Sequence, residues 1–166
     1  MKLNSGKLKW DISAISKALK ISESDVQAYF TDGRRISFIL ERRLAKEVLK
    51  GELPKSEGAS YDIEDSKGGK WEVRSITKGG IYFSPSYMVG SGRSFGADGF
   101  LAKLDAIEGY IVSDIEKFPR VPFWIIPAEI VREWWDAGIL NADTKITRAK
   151  ALQLLKTIYP DESWTL

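Results

Sequence analysis

Residues 61–77, Tyr61-Asp-Ile-Glu-Asp-Ser-Lys-Gly-Gly-Lys-Trp-Glu-Val-Arg-Ser-Ile-Thr77, decide how this chain is read. Tyr61 to Asp65 is short and strand-like, and Ser66-Lys-Gly-Gly is a turn. Lys70 to Thr77 alternates and is rich in β-formers, so it reads as a second strand. Alternate side chains of a strand share a face, so Glu72 and Arg74 point the same way. Asp62, on the neighbouring strand, comes alongside Glu72; Glu64 and Asp65 stand close enough in sequence to take its place. Two carboxylates at the open end of a hairpin, beside a cation, suit a hard divalent metal such as Mg²⁺. Such an ion polarises a phosphoryl oxygen and activates water near neutral pH.

The flanking pattern extends the hairpin into a domain. Upstream, three helices are expected: Ile12 to Ile21 with Asp11 as N-cap, Ser24 to Phe30 with Ser22 as cap, and Ile36 to Leu49 ended by Gly51. Downstream come a short strand at Ile81-Tyr-Phe, a long loop from Ser84 to Gly99, and a helix marked by Phe100, Leu101, Leu104 and Ile107. Tyr110 to Ile115 and Val121 to Ile126 read as strands, the second apolar on both faces as a buried strand would be. Helices from Pro127 and from Thr147 to Ile158 close the pattern. The expectation is an α/β fold: a mixed sheet flanked by helices, with residues 1–33 as an N-terminal helical segment and residues 34–166 as the core, in one compact unit.

Composition narrows the chemistry. The chain has 166 residues, enough for one domain with a real core, and neither cysteine nor histidine. That excludes disulfides, thiolate or imidazole metal sites, cysteine nucleophiles and a Ser-His-Asp triad. Carboxylates, lysines, arginines, hydroxyls and a metal held by oxygen remain. Neither a dinucleotide-binding Gly-x-Gly-x-x-Gly loop nor a Walker lysine motif is present. Residues 1–50 hold 11 Lys/Arg and 6 Asp/Glu, although the whole chain carries a formal charge of only +2. A basic N-terminal third suits a polyanion; a solvated helix surface is the plainer alternative. No stretch approaches the roughly 20 apolar residues of a membrane span, and the N-terminus lacks a signal-peptide run. A cytoplasmic protein is expected.

The segment Asp62-x-x-Asp65-x-x-Gly68-x-x-Trp71-Glu72-Val73-Arg74-Ser75 resembles the PD-(D/E)xK nuclease superfamily, in particular its small type II restriction endonucleases. Those enzymes carry an Asp at a strand end, a turn with Gly, and Glu-x-Lys on the next strand. The order of helix, Asp strand, Glu-x-basic strand, loop, helix and two strands is similar over about residues 34–127. The resemblance implies a restriction-endonuclease-like core and a Mg²⁺-dependent, sequence-specific cut of double-stranded DNA. It further implies a homodimer and a cognate DNA methyltransferase encoded nearby. Asp62, Glu72 and the Val73 carbonyl would bind the metal, with Glu41 from the upstream helix as a further, weaker ligand. Arg74 stands where the family has Lys. Arginine cannot be deprotonated in a protein, so it cannot serve as a base, but it can hold the scissile phosphate. Lys70 and Lys78 are nearby in sequence.

DNA contacts are expected from two places. The loop after the catalytic strand offers Ser84, Ser86, Tyr87, Ser91 and Arg93, together with Ser94 and the glycines Gly90, Gly92 and Gly96, to phosphates and base edges. Residues 12–30 resemble a helix-turn-helix, with Ser16 in the first helix, Val26 buried in the second, and Lys20 where glycine is usual. Ser22 to Gln27 would then face the major groove, with Arg34 and Arg35 near the backbone. The same helices would serve equally as packing or dimer elements. A non-catalytic DNA-binding protein using this segment, on a degenerate nuclease fold, is the alternative function.

Overall fold

The computed structural model describes residues 5–56, 58–88, 91–140 and 144–160. Residues 1–4 and Gly90 of the expected loop lie outside them. In chain order the elements are β1 (Ser5–Lys9), α1 (Ile12–Leu19), α2 (Glu23–Phe30), α3 (Gly33–Arg43), β2 (Ile63–Glu64), β3 (Lys70–Ile76) and β4 (Ile81–Tyr82). They continue with α4 (Ala97–Ala106), β5 (Gly109–Asp114), β6 (Arg120–Pro127), α5 (Ala128–Asp136), β7 (Lys145–Ile146) and α6 (Arg148–Ile158). Five strands form one mixed sheet in the order β1-β6-β5-β3-β2. This is the expected α/β class.

Among the described residues, only β3 and β5 run parallel, from Trp71 opposite Gly109 to Ile76 opposite Asp114. A parallel pair needs a crossover, and α4 lies within that connection. All six residues of β5 are buried, as are six of the eight in β6, because helices cover both faces of the sheet. Ile76, Tyr110, Val112, Trp124 and Ile126 face one layer, packed with Phe100 and Leu104 of α4, Val131 and Trp134 of α5, and Leu155 of α6. Val73, Ile111, Phe123 and Ile125 face the other, packed with Val26 and Phe30 of α2 and with Ile36 and Leu40 of α3. The alternation along β6 divides the core in two, as the period of a strand requires.

The N-terminal helices start where capping chemistry places them. Asp11 accepts from the Ala14 amide at 2.9 Å, and Ser22 forms a capping box with Asp25. Lys20 adopts the left-handed conformation (φ 56°), so the α1–α2 corner has the geometry that usually selects glycine. Leu19 and Ile21, at the end of the first expected helix, are exposed. The third helix begins at Gly33 rather than Ile36, because Asp32 caps the Arg34 and Arg35 amides. It runs on as a π-helical turn, Leu44–Leu49, before Gly51. A Cβ at Gly51 would sit 2.1 Å from the Glu64 carbonyl oxygen, because residue 52 bridges residue 64 at the outer edge of β2. Glycine is required there by close approach of two backbones.

Two strands were not expected. The segment 1–33 contributes β1, which pairs antiparallel with β6 from Ser5 opposite Trp124 to Lys9 opposite Arg120, so it is not wholly helical. Only Leu8 of β1 is fully buried, which leaves almost no alternation to read. The expected strand at Ile81 forms no part of the main sheet; it pairs with β7, a two-residue strand.

Candidate active site

β2 pairs with β3 at only two positions, Ile63 with Trp71 and Glu64 with Lys70. The Asp62 amide still reaches the Trp71 carbonyl at 3.0 Å. Past that point, among the described residues, no strand pairs with β3 on this side. The Asp62 carboxylate takes the place of a strand: Oδ2 accepts the Val73 N–H at 2.8 Å. An unpaired buried amide is costly, so this bond holds Asp62 against the middle of β3.

Glu72 is only 5% exposed, which for a carboxylate demands partners. Its Oε2 lies 2.7 Å from Nη2 of Arg74, two residues along the same face. Its Oε1 contacts Nζ of Lys103, from α4, and that ammonium also donates to the Ser60 carbonyl. Arg74 is held on several sides. Nη1 donates to the Val73 carbonyl at 2.8 Å and stands 3.7 Å from Asp62 Oδ2; Nη2 also donates to the Ser84 carbonyl at 3.1 Å. The guanidinium fork thus ties both carboxylates, the strand and the start of the following loop together.

Glu41, from the flank of α3, is coupled electrostatically to the cluster. Burial, and then the Asp62 charge, push its carboxyl up to about 7. Asp62 is also raised, by burial and then by Glu72, against the lowering pull of the Val73 amide, Arg74 and Lys103. Tyr110, beside Glu72 in the β3–β5 register, is buried, keeps its proton well above the usual range, and donates to the Phe83 carbonyl at 2.9 Å. Asp62 and Glu72 share Arg74 and Lys103, Arg42 acts on Glu41, and burial is the first cause of the raised carboxyls. Oxygen ligands of this kind suit a hard divalent cation. Among the described residues, no three acidic side chains stand close enough together to cage one unaided.

The expected residues meet different fates. Asp62, Glu72 and Arg74 come together, with Glu41 coupled to them. The Val73 carbonyl accepts from Arg74. Asp65 is committed to its own turn, accepting from the Lys67 and Gly69 amides and from Trp71 Nε1; these bonds hold its carboxyl below the usual range. Glu64 accepts from Tyr61. Asp62 is thus the carboxylate that faces the site. Lys70 lies over the Tyr61 ring, and Lys78 is exposed in the turn after β3.

Of the expected DNA contacts, Ser84 is corrected. It is 2% exposed, and its hydroxyl is hydrogen-bonded to Thr144, so it packs in the core and does not offer itself to a phosphate. Ser86, Tyr87, Ser91 and Arg93 are exposed, and Arg93 Nη1 donates to the Ser86 carbonyl at 2.7 Å, closing the loop on itself. Arg34 and Arg35 are exposed on α3. Ser22 to Asp25, expected to face DNA, are exposed, but they carry Glu23 and Asp25. Lys103 was missed. Nothing in its local sequence distinguishes it from any other lysine on an amphipathic helix, and only the crossover brings it to Glu72. A cleft of about 680 Å³ lies beyond β2, lined by Lys50, Lys55, Tyr61, Glu64 and Asp65 among others; Asp62, Glu72 and Arg74 do not line it.

No protein-family model, no curated protein and no solved structure matches this chain. No helix among the described residues is long and apolar enough to cross a membrane.

Proposed function

We propose that this chain is a Mg²⁺-dependent endonuclease that hydrolyses phosphodiester bonds of double-stranded DNA in the manner of a type II restriction enzyme. The observation that carries the reading is the convergence of Asp62, Glu72, Arg74 and Lys103 at the open edge of β3, with Glu41 behind them. Asp62, with Glu41 and Glu72 beside it, would hold the ion. When bound, it would offset carboxylate charge and polarise the phosphoryl oxygen.

The chain's own groups do the rest. Arg74 clamps Glu72 and Asp62 in position and adds positive charge where the phosphorane becomes more negative. Being always protonated, it takes no proton from water. Lys103 brings from α4 the ammonium that the Glu-x-Lys pattern supplies from the strand. Cutting both strands of a palindrome calls for a symmetric homodimer with one site per strand. The protein would act in the cytoplasm, beside a DNA methyltransferase of matching specificity.

The test is incubation of the purified protein with plasmid and phage DNA, with Mg²⁺ or with EDTA, alongside Glu72→Ala. Discrete fragments that need Mg²⁺ and vanish in the variant support the reading. One observation favours a second reading, a non-catalytic DNA-binding protein: both Glu72 oxygens already have cationic partners. Tight duplex binding without cutting under any metal would select it.

A further inference from the structure

The outer face of α3 carries a feature the catalytic reading does not use. Arg34, Phe38 and Arg42 recur every four residues, so they line one side of the helix, with Arg35 next to them. The inner side of the same helix buries Ile36 and Leu40 in the core. Phe38 is 60% exposed, although the hydrophobic effect favours burying such a ring. The guanidinium of Arg42 lies over the ring, 3.3 Å from its centroid, and Nη1 donates to the Phe38 carbonyl at 3.0 Å. That stacking fixes an arginine that would otherwise sample many rotamers. Among the described residues, neither Arg34 nor Arg42 makes an ion pair within 4 Å, although the Arg42 charge acts on the neighbouring Glu41, and Arg35 has only an exposed contact with Asp32 at 3.8 Å.

Position gives the stripe its meaning. Glu41 leaves the same helix next to Arg34 and Phe38, and couples to Asp62 and Glu72. A polyanion lying along the stripe therefore arrives at the carboxylate cluster. The expected reading end of the helix-turn-helix, by contrast, presents Glu23 and Asp25, which repel phosphates. The α3 amides of Arg34 and Arg35 are capped by Asp32, so the side chains, not the helix end, supply the attraction.

We infer that the outer face of α3 is a backbone-tracking surface for duplex DNA: Arg34, Arg35 and Arg42 contact successive phosphates and Phe38 packs against a sugar. The inference rests on the nuclease reading above and names the surface by which that site takes its substrate.

The test is fluorescence anisotropy with a labelled duplex of about 30 bp, in EDTA or in Ca²⁺, across a salt series. Arg34→Ala/Arg42→Ala and Phe38→Ala are compared with a Lys150→Ala/Lys156→Ala control on α6, and circular dichroism checks folding. The expected result is a loss of affinity of about 10-fold or more in the double arginine variant, with the log–log salt slope reduced by about 2. Phe38→Ala is expected to lose a few-fold, and the control nothing. A parent that binds DNA, with a double variant of unchanged affinity and slope, overturns this surface and leaves the nuclease reading standing. A parent that binds no duplex at all overturns both. Sedimentation gives the last outcome: a dimeric parent and a monomeric Phe38→Ala variant that binds DNA as tightly make this face a subunit interface, and overturn the proposal.

Discussion

Two buried ion clusters stand at neighbouring places on the same sheet and differ in balance. Asp114, at the end of β5, is 1% exposed and meets Arg148, the first residue of α6, through two parallel bonds of 2.5 and 2.8 Å. One charge meets one charge, in the bidentate geometry that best repays desolvation. Glu72, on the adjacent β3, is buried almost as deeply, yet shares Arg74 and Lys103 with Asp62 and, at longer range, Glu41. That cluster has no one-to-one pairing, sits at an open strand edge, and leaves two carboxyls with raised proton affinity. A closed pair ties a helix to a sheet. The open cluster is where the proposed cation would bind.

Substitutions separate these two roles. The largest effect is expected for Glu72→Gln: cleavage by the folded protein falls about 10³-fold, ~4 kcal/mol of transition-state stabilisation, and the denaturation midpoint falls too, because Arg74 and Lys103 lose a buried charge partner. Plasmid-cleavage rates beside urea titrations check it, and a variant that cuts normally removes the site. Asp114→Ala is expected to show only the loss of stability. It strands Arg148 and is expected to cost about 3 kcal/mol of folding stability in urea titrations, with the cleavage rate of the folded protein retained. Should Asp114→Ala prove as stable as the parent, the closed pair is not the structural tie described above.

Lys103→Met comes next, with cleavage expected to drop about 10- to 100-fold. If Lys103 served only to tie α4 to Glu72, Lys103→Arg would restore activity along with stability, so partial rescue of stability without activity is the informative outcome. The smallest effect is a pH dependence. Glu41 titrates near 7 in the folded protein and near 4.5 when unfolded, so the native state holds the extra proton between those values. Its contribution is full below about 4.5 and is lost as pH rises through about 7. In EDTA the parent's thermal midpoint should therefore decline over that window, and Glu41→Gln should flatten the decline. Mg²⁺ at about pH 8 should raise the parent's midpoint and leave Asp62→Asn unmoved. A parent insensitive to Mg²⁺ would break the link between the carboxylate cluster and metal.

The hairpin could be read from residues 61–77 because everything it needs is local. Ser66-Lys-Gly-Gly turns the chain, Gly68 adopts φ 83°, and alternation sets Glu72 and Arg74 on one face. The buried strands β5 and β6 were legible for a similar reason, as apolar runs bounded by turns. β1 and β7 were not, since a strand with one buried residue or only two residues has no period to detect. Ser84 shows the reverse error. Its loop reads as polar and surface-bound, yet the Thr144 hydroxyl draws its side chain inward.

What the sequence determined alone was the chemistry available and its local frame: no thiol, no imidazole, and a carboxylate pair with an arginine on a strand and its neighbour. The tertiary structure decided which groups complete that frame. Lys103 reaches Glu72 because the β3–β5 connection carries α4 into the layer that Glu72 faces, and Glu41 joins because α3 packs against the same strand from the other layer. Backbone preferences act between neighbours in sequence and leave a readable pattern. Charge partnerships act through space, and only packing of the layers determines which charges meet.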